Sequence, residues 1–508
     1  MVDAPPISAA ELAALQAAGL GELGAKLLRR FEQDRHEIDW RDAKIEKLTF
    51  EMAQLKRVKF STKSEQLDSG QRALFEEAVD ADMAALEAQL EELLAASKKP
   101  REPGERPKRA ALPPQLPRVE HHHEPENTTC ACGCELKRIG EDVSEKLDYV
   151  PGVFTVERHV RGKWACAQCR TLTQAPVPAE IIDKGIPTSG LLAQVLVAKY
   201  ADHLPLYRQE VIFGRAGLAL PRSTLASWVG VCGLRLQPLV DALKAHVLGR
   251  GVVHADETPV AMLSPGSGKT HRAYLWAYAS GAFEPLRAVV YDFTESRAGE
   301  HARAFLGDWQ GSLVCDDFAG YKALFARGVI EAGCMAHARR KFVELHVANK
   351  STIAATAVAL IGQLYGIERE VKEFPPEQRL HERRTRAAPV AKALHDWLIA
   401  QRTKITDGTA TAKAIDYGLT RYLDDPALPI DNNFDEQQIR PWATGRKNWL
   451  FAGTLLAGQR AAAIMSLIQS SKLNGHDPYA YLKDVLARLP TQLARDIDEL
   501  PPHRWVPA

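Results

Sequence analysis

Five short apolar runs between residues 250 and 337 constrain the fold more than any other feature of the chain. They are RGVVHADETPVAML, HRAYLWAYAS, PLRAVVYDF, GSLVCDDFAG and VIEAGCMAH. Helix-like segments, AGEHARAFLGDW and YKALFARG, precede the fourth and the fifth run. Runs of this length and composition predict strands, so three strands follow one another before strand and helix alternate.

This order is that of an RNase H-like core, in which an antiparallel meander is continued by parallel strands. We therefore predict a multidomain α+β protein with an RNase H-like mixed α/β catalytic core at residues 249–475. Helical patterns at about 346–428 predict a helical insertion within it. With 508 residues, 45% hydrophobic and 25% charged, the chain has the composition of a globular protein and is too long for one core.

Residues 1–97 predict an N-terminal helical or coiled-coil region, because apolar residues recur there at spacings of three and four. These residues are Ile38, Ile45, Leu48, Met52, Leu55, Leu86, Leu90, Leu93 and Leu94. Two interpretations remain open, namely two helices packed as a hairpin and a zipper between chains.

Residues 98–124 predict a basic, proline-rich linker. The stretch SKKPREPGERPKRAALPPQLPR has seven Lys or Arg residues against two Glu. Such a segment cannot bury a core; it is a solvated linker, or its charge also contacts a phosphate backbone. His121, His122 and His123 could reach a metal or bind nothing specific.

Residues 125–178 predict a small β zinc-finger module. Cys166 and Cys169 form a CxxC pair, and CACGC supplies Cys130, Cys132 and Cys134. Clustered cysteines without a secretion signal favour metal over disulfides, and four thiolates make a structural zinc site. The spacing leaves open whether Cys132 or Cys134 is the partner of Cys130, and reduced buried thiols are the alternative.

Residues 179–248 predict three helices, and residues 476–508 a C-terminal helical tail. The segment LYRQEVIFGRAGLALPRSTLASWV indicates a helix, a turn with glycine, and a second helix capped at Ser223. This pattern suits a DNA-binding helix-turn-helix, and plain helical packing is the other interpretation.

Acidic residues end two of the apolar runs. Asp256 and Glu257 lie at the end of the apolar stretch VVHADE in the first run, and Asp316 and Asp317 at the end of LVCDD in the fourth. The two strands are neighbours in the predicted sheet, so the carboxylates would meet at one edge. A divalent cation, Mg²⁺ or Mn²⁺, would offset their repulsion and serve phosphoryl transfer by a two-metal mechanism.

The stretch IDNNFDEQQIRPWATGRKNWLF, residues 430–451, supplies the third acid. Its acids come first and its bases afterwards, and Glu436 and Arg440 would lie one helical turn apart. We predict that Glu436 faces the metals while Arg440, Arg446 and Lys447 hold DNA phosphates. Asp431 and Asp435 are weaker candidates for the acid.

Several motifs together resemble the transposases of the insertion sequence 66 family, in order and over nearly the whole chain. The motifs are HADETPV, CDDFAGY, GCMAHARRKF, IDNNFDEQQIRPWATGRKNWLFAG and LNGHDPYAYLKDVLARL, with EDVSEKLDYVPGVFTVERHVRGKWAC resembling the family's zinc-finger region. The family commonly has Glu-Arg where this chain has Glu436-Gln437, and Gly-Tyr where it has Asp317-Phe318.

The resemblance implies a DDE transposase whose acidic triad is Asp256, Asp316 and Glu436. It also implies metal-dependent cleavage at the 3′ ends of a bacterial insertion element, followed by strand transfer into target DNA. His337 matches a family motif, which suggests positioning of DNA or of the site, or a packed core histidine.

The partners expected are DNA, further copies of the same chain and companion proteins encoded by the same element. The N-terminus MVDAPPISAAELAAL lacks a basic region ahead of an apolar stretch, and no apolar run reaches the ~18 residues of a membrane helix. We therefore expect a cytoplasmic protein, associated with the nucleoid when bound to DNA. An RNase H-like nuclease or resolvase, or an inactive DNA-binding protein, is the alternative.

Overall fold

The fold was analysed in a computed structural model of the chain. The structure describes residues 21–61, 69–96 and 112–507, apart from positions 115, 126, 151, 177, 183–184, 265–268, 403–420 and 450. Most of the predicted linker at residues 98–124 lies outside the described residues.

The described helices are numbered in chain order, leaving out single turns of 3-10 helix. They are α1 (Gly21–Ser61), α2 (Ser69–Ala96), α3 (Ser189–Tyr200), α4 (Leu206–Arg215), α5 (Arg222–Leu248), α6 (Gly299–Leu306), α7 (Lys322–Phe325), α8 (Met335–Asn349), α9 (Thr352–Val371), α10 (Pro376–Glu382), α11 (Ala388–Arg402), α12 (Asn433–Trp449), α13 (Leu455–Leu473) and α14 (Pro478–Arg488).

Nine strands are described, and they form two sheets. They are β1 (Arg118–His123), β2 (Leu136–Val150), β3 (Val153–Cys166), β4 (Leu172–Gln174), β5 (Val252–Ser264), β6 (Lys269–Ser280), β7 (Val289–Thr294), β8 (Ser312–Cys315) and β9 (Ile330–Gly333).

The larger sheet has the strand order β7-β6-β5-β8-β9. Strands β7, β6 and β5 are antiparallel neighbours, whereas β8 and β9 run parallel to β5. All five apolar runs of the sequence are therefore strands, and the predicted meander followed by parallel strands is observed.

Helix α13 covers the edge strand β7 and satisfies part of its backbone. Ser466 Oγ accepts the N–H of Tyr291 at 2.8 Å, and Ser470 Oγ accepts that of Val289 at 3.0 Å. An exposed sheet edge invites pairing with other chains, and these serines remove that risk on one side of the sheet. The apolar side chains of α13 join the main hydrophobic core.

The smaller sheet has the order β1-β3-β2, with β4 also paired to β3. β2 and β3 form a long antiparallel hairpin around Gly152, whose φ of +94° suits glycine. The hairpin expected at this place is thus observed. β1 runs parallel to β3, so His121–His123 lie on a strand, and His123 Nε2 is 3.0 Å from His159 Nδ1.

Three helices occupy residues 189–248, as expected, but Ser223 does not cap the third. Helix α5 begins after Pro221, and no side chain caps its first turn, so Ser223 lies inside the helix. Helix α5 buries Leu225, Trp228 and Leu236 in the main core. This burial favours plain packing over a helix-turn-helix that presents its second helix to DNA.

The predicted C-terminal tail at 476–508 is part of the core. Tyr481, Leu482 and Val485 of α14 are completely buried, and the helix packs against α3. The Tyr481 hydroxyl donates to the carbonyl of Leu500 at 3.1 Å. Apolar residues at helical spacing bury one face of this segment, so it packs into the core instead of projecting from it.

The predicted insertion contains α9, α10, α11 and a turn of π-helix at Arg383–Ala387. Its buried residues Ile361 and Leu364 belong to a second hydrophobic cluster that also includes Val252 and Val314 of the large sheet. Buried Arg383 donates to both oxygens of Glu368, at 2.8 and 2.7 Å. A paired and hydrogen-bonded charge of this kind is tolerated inside a protein.

The chain forms two compact units. One holds α1 and the part of α2 from residue 85 onward, and the other holds the part of α2 up to residue 84 and all later elements. Leu48 and Leu86 are buried in the first unit, whereas Ile38 is 52% exposed. In the second unit buried Asp82 accepts a hydrogen bond from Arg460 at 2.7 Å.

Candidate functional site

A buried asparagine fixes the start of α12 against the central strand β5. Asn432 Oδ1 lies 2.7 Å from Nδ1 of buried His254, and Asn432 Nδ2 donates to the carbonyl of Ala255 at 2.9 Å. The Asn432 carbonyl accepts the N–H groups of Asp435 and Glu436. The acids of α12, far from the strands in sequence, are thereby brought beside them.

Asp256 and Asp316 lie at the same edge of the sheet. The parallel ladder joins Val252–His254 to Ser312–Val314; Asp256 comes two residues after its end and Asp316 one residue after β8. The expectation that Asp256 ends its strand is wrong, because β5 continues to Ser264, paired with β6. The end of the parallel pairing is what exposes this edge.

The Asp256 carboxyl is costly to ionise. Burial raises its pKa to about 8, with further contributions from the charges of Glu257, Asp316 and Glu436. Its Oδ1 accepts the N–H of Glu257 at 2.8 Å, which offsets part of the cost. A buried carboxyl surrounded by like charges is stabilised as the anion when a cation binds beside it.

Two neighbouring acids already have cationic partners. Glu257 accepts hydrogen bonds from Arg297, with Nε at 2.7 Å, and from the hydroxyl of Tyr321 at 3.0 Å. Asp317, half exposed, lies 3.2 Å from Nζ of Lys322. Glu257 and Asp317 therefore differ from Asp256 and Asp316, because their charges are already balanced by Arg297 and Lys322.

Glu436 lies in the first turn of α12, next to the start of α8. Its carboxylate is 3.6 Å from Nδ1 of His337 and 3.7 Å from the guanidinium of Arg340. Within the described residues, Asp256, Asp316 and Glu436 do not form a group whose ligand atoms all lie within 4.8 Å of one another, whereas Cys334, His337 and Glu436 do. The three acids thus lie in one region, but their oxygens are not close enough to one another to form a compact ligand group.

The two weaker acid candidates differ from each other. Asp431 accepts the hydroxyl of Tyr365 at 2.8 Å and the N–H of Asn433 at 3.1 Å. Asp435 is completely buried, and in the described part of the chain neither of its oxygens has a hydrogen-bond partner. Burial first, and then the charges of Asp256 and Glu436, hold the Asp435 pKa well above its usual range.

The three predicted DNA-binding bases of α12 have different surroundings. Arg440 and Lys447 are exposed on the helix. Arg446 instead turns to strand β5, where it donates to the carbonyl of Pro259 at 2.8 Å and to the hydroxyl of Thr258 at 3.2 Å. Arg446 therefore joins helix to strand, whatever else it contacts.

Four cysteines of the β module come together at two turns. Sγ of Cys130 is 3.1 Å from that of Cys169, and Sγ of Cys132 is 3.5 Å from Cys166 and 3.8 Å from Cys169. Tetrahedral zinc with Zn–S bonds of about 2.3 Å would place sulfurs about 3.8 Å apart. Cys134 lies outside this group and contacts Gln168 Oε1 at 2.9 Å.

Comparison with protein families matches almost the whole chain. The model of the transposase IS66 family matches residues 184–460, and that of the zinc-finger binding domain of transposase IS66 matches 127–170. The IS66 C-terminal element matches 466–503, and a model described as transposase C of IS166 homeodomain matches 47–120.

Curated relatives also align with most of the chain. Uncharacterized protein y4jD of Sinorhizobium fredii is 39% identical over 418 residues, which is 78% of this chain and 81% of the relative. Uncharacterized protein y4qI of the same organism is 36% identical over 490 residues, 91% of this chain and 90% of the relative. The chain belongs to the IS66 transposase family.

Membership makes the protein a transposase, an enzyme of phosphoryl transfer on DNA, and implies that it binds DNA. For this transposase the zinc-finger match and the four-cysteine cluster together support a structural Zn²⁺. Within the described residues, every helix is too short or too polar to cross a lipid bilayer.

The sequence did not single out several residues that surround the candidate site. Asn432 and His254 anchor α12, and Arg340 and Cys334 lie beside Glu436. The sequence features that could have pointed to them are local: the NN pair that contains Asn432, and the CMAH motif that contains Cys334. Their role depends on pairing between distant elements, which a single sequence does not display.

Proposed function

We propose that this transposase is a DDE enzyme with an RNase H-like core. It binds the ends of a bacterial insertion element, cleaves DNA at their 3′ ends, and joins the freed 3′-OH to target DNA. The strand order β7-β6-β5-β8-β9, antiparallel and then parallel, supports the fold assignment.

One observation carries the proposal. Asp256 and Asp316 lie just beyond the carboxyl end of the parallel pairing between β5 and β8, and Asn432 ties the helix of Glu436 to the same strand β5. These three acids come from three elements separated by up to 180 residues of sequence. Their like charges repel one another in this region unless a cation or substrate binds there.

The acids fit a hard divalent cation. Asp256, Asp316 and Glu436 offer carboxylate oxygens, the ligand type preferred by Mg²⁺ and Mn²⁺, and the raised Asp256 pKa marks a place where positive charge would be favourable. When bound there, such ions activate an attacking oxygen and stabilise the leaving one in phosphoryl displacement.

The remaining side chains support binding and positioning. Exposed Arg440 and Lys447 can reach DNA phosphates, since guanidinium and ammonium groups pair with phosphate oxygens. Arg446 holds α12 to β5 through Pro259. His337 and Arg340 lie 3.6 and 3.7 Å from the Glu436 carboxylate and position it near the two aspartates.

Joining chemistry acts on two element ends, so we expect a homo-oligomer in the active complex. Companion proteins from the same element are a further expected partner. An RNase H-like nuclease or resolvase would share the acids but would not join strands.

A strand-transfer assay tests the proposal. The substrate is a labelled duplex with the element's own end and a free 3′-OH, incubated with Mg²⁺ and the wild type or with Asp256→Asn, Glu436→Gln and Asp317→Asn. We expect joined product from the wild type and from Asp317→Asn, whose residue pairs with Lys322, and none from the other two.

Cleavage without joining would favour the nuclease or resolvase. Binding without cleavage or joining would favour a DNA-binding protein that has lost catalysis. Joined product from Glu436→Gln would remove Glu436 from the triad.

A further inference from the structure

Three unlike metal-ligating side chains meet beside the acidic site. Atoms of Cys334, His337 and Glu436 all lie within 4.8 Å of one another. His337 Nδ1 and Glu436 Oε1 are shielded from solvent, and in the described part of the chain neither atom has a hydrogen-bond partner. The two atoms face each other at 3.6 Å, beyond hydrogen-bond distance, so a ligand between them would supply the partner that each lacks.

Local structure positions these side chains before any ligand arrives. Cys334 precedes α8 and His337 lies in its first turn, so their spacing of three residues places them on one side of the helix. Glu436 comes from the first turn of α12. The N–H of Asn432 donates to Cys334 Sγ at 3.2 Å, which fixes the sulfur from behind.

The distances suit a small tetrahedral ion. Zn–N and Zn–O bonds of about 2.0–2.1 Å place the two ligand atoms about 3.3 Å apart. His337 Nδ1 and Glu436 Oε1 are 3.6 Å apart, so a small movement is enough. His337 and Glu436 are about a quarter exposed, which leaves a path for the ion.

The ligand set differs in chemistry from that of a magnesium site. Sulfur and imidazole suit Zn²⁺, whereas Mg²⁺ prefers oxygen ligands and retains its waters. A coordinating zinc ion would hold Cys334 as the thiolate.

We propose that Cys334, His337 and Glu436 form a second zinc site, separate from the four-cysteine cluster. Arg340 is 56% exposed and can swing away from Glu436 when the ion binds. If Glu436 is the third catalytic acid, which is the proposed function above, zinc at this site withholds it from Asp256 and Asp316. Zinc would then inhibit the magnesium-dependent reaction.

Zinc content tests the site without reference to activity. The full-length wild type, Cys334→Ser, His337→Gln and Cys232→Ser are equilibrated with the same low free Zn²⁺ and analysed for zinc per chain. Cys232 is a matched control because it is a completely buried cysteine in α5, outside both metal-ligand groups of the described chain.

We expect Cys334→Ser and His337→Gln each to bind one zinc ion fewer per chain than the wild type and Cys232→Ser. Circular dichroism checks that each variant is folded, and His337→Gln decides the matter if Cys334→Ser is not. Equal zinc content in the wild type and the folded variants would overturn the proposed site.

A second measurement separates the inhibitory role from the site itself. In the strand-transfer assay with Mg²⁺, wild-type activity should fall at least tenfold over the zinc range that fills the second site. Over the same range, added zinc should not change the activity that Cys334→Ser shows without zinc. Equal inhibition of both proteins would overturn the inhibitory role. An enzyme that never joins DNA, even without added zinc, would contradict the proposed function and leave the zinc-content result standing.

Discussion

Four thiols of the β module already lie at ligand distances from one another, whereas the three acids proposed for catalysis do not form such a group in the described chain. The thiols come from two turns at one end of a hairpin, so local backbone geometry brings them together. The acids come from β5, β8 and α12, and their like charges oppose close approach. A closed structural site and an open acidic one follow from this difference.

The largest effect we expect is from breaking the closed site. Replacing Cys166 by Ser removes a zinc ligand, and structural zinc contributes on the order of 10 kcal/mol to the folding of small zinc modules. The hairpin β2–β3 should become sensitive to limited proteolysis, and zinc should be lost. Cys134→Ser is the control, because Cys134 contacts Gln168 instead, and zinc loss from that variant would refute the four-ligand assignment.

The open acidic site should make the stability of the protein depend on pH. The Asp256 pKa rises from 3.8 to about 8 on folding, so between these values the folded protein holds a proton that the unfolded chain has lost. Stability should therefore fall as pH rises through that window, by on the order of 5 kcal/mol for this group.

Thermal unfolding without divalent cations measures this fall. Asp256→Asn should lose less stability than the wild type between pH 5 and pH 8, and Mg²⁺ should raise the wild-type Tm more at pH 8 than at pH 5. Asp317→Asn, beside a lysine, should behave as the wild type. A pH profile identical in Asp256→Asn would argue against a buried, charge-repelled carboxyl.

The anchor between the two halves of the acidic site gives a smaller effect. Asn432→Ala leaves buried His254 and the Ala255 carbonyl without their partner, which should cost about 2–3 kcal/mol of unfolding free energy. Chemical denaturation measures the loss. Asn433→Ala, an exposed neighbour, should cost much less, and equal losses would show that Asn432 is not a special link.

The smallest effect concerns the bases of α12. Lys447→Gln should leave stability unchanged while lowering DNA affinity and reducing the slope of log affinity against log salt by about 1. Arg446→Gln should instead lower stability by about 1 kcal/mol, because Arg446 bonds to Pro259 and Thr258. Fluorescence anisotropy across salt concentrations and chemical denaturation distinguish the two variants. A lower salt slope for Arg446→Gln but not for Lys447→Gln would assign the phosphate contact to Arg446 instead.

Much of the fold was predictable because it is local. Apolar runs bounded by turns specified the five strands of the large sheet, and the PG turn specified the β2–β3 hairpin. The choice between Cys132 and Cys134 was not predictable, since both lie in one tight turn and only its three-dimensional path turns Cys132 toward Cys166.

The rest of the site depended on long-range pairing. Nothing near Asn432 in sequence shows that its partner is His254, 178 residues away. The same holds for Arg446, whose sequence context gives no sign of its bond to the carbonyl of Pro259 in β5. Composition identifies the side chains that can do the chemistry, but tertiary contacts decide which are occupied elsewhere.

The packing of α14 against α3 has a consequence for how the protein is made. α3 is synthesised almost 300 residues before α14, yet Leu191 and Tyr481 belong to the same core. While the ribosome is still adding that intervening chain, the apolar face of α3 has no final partner, and closing so long a loop is slow. The main core therefore cannot be completed until α14 has been synthesised, so that chaperone access and translation speed bear directly on how much folded protein is produced.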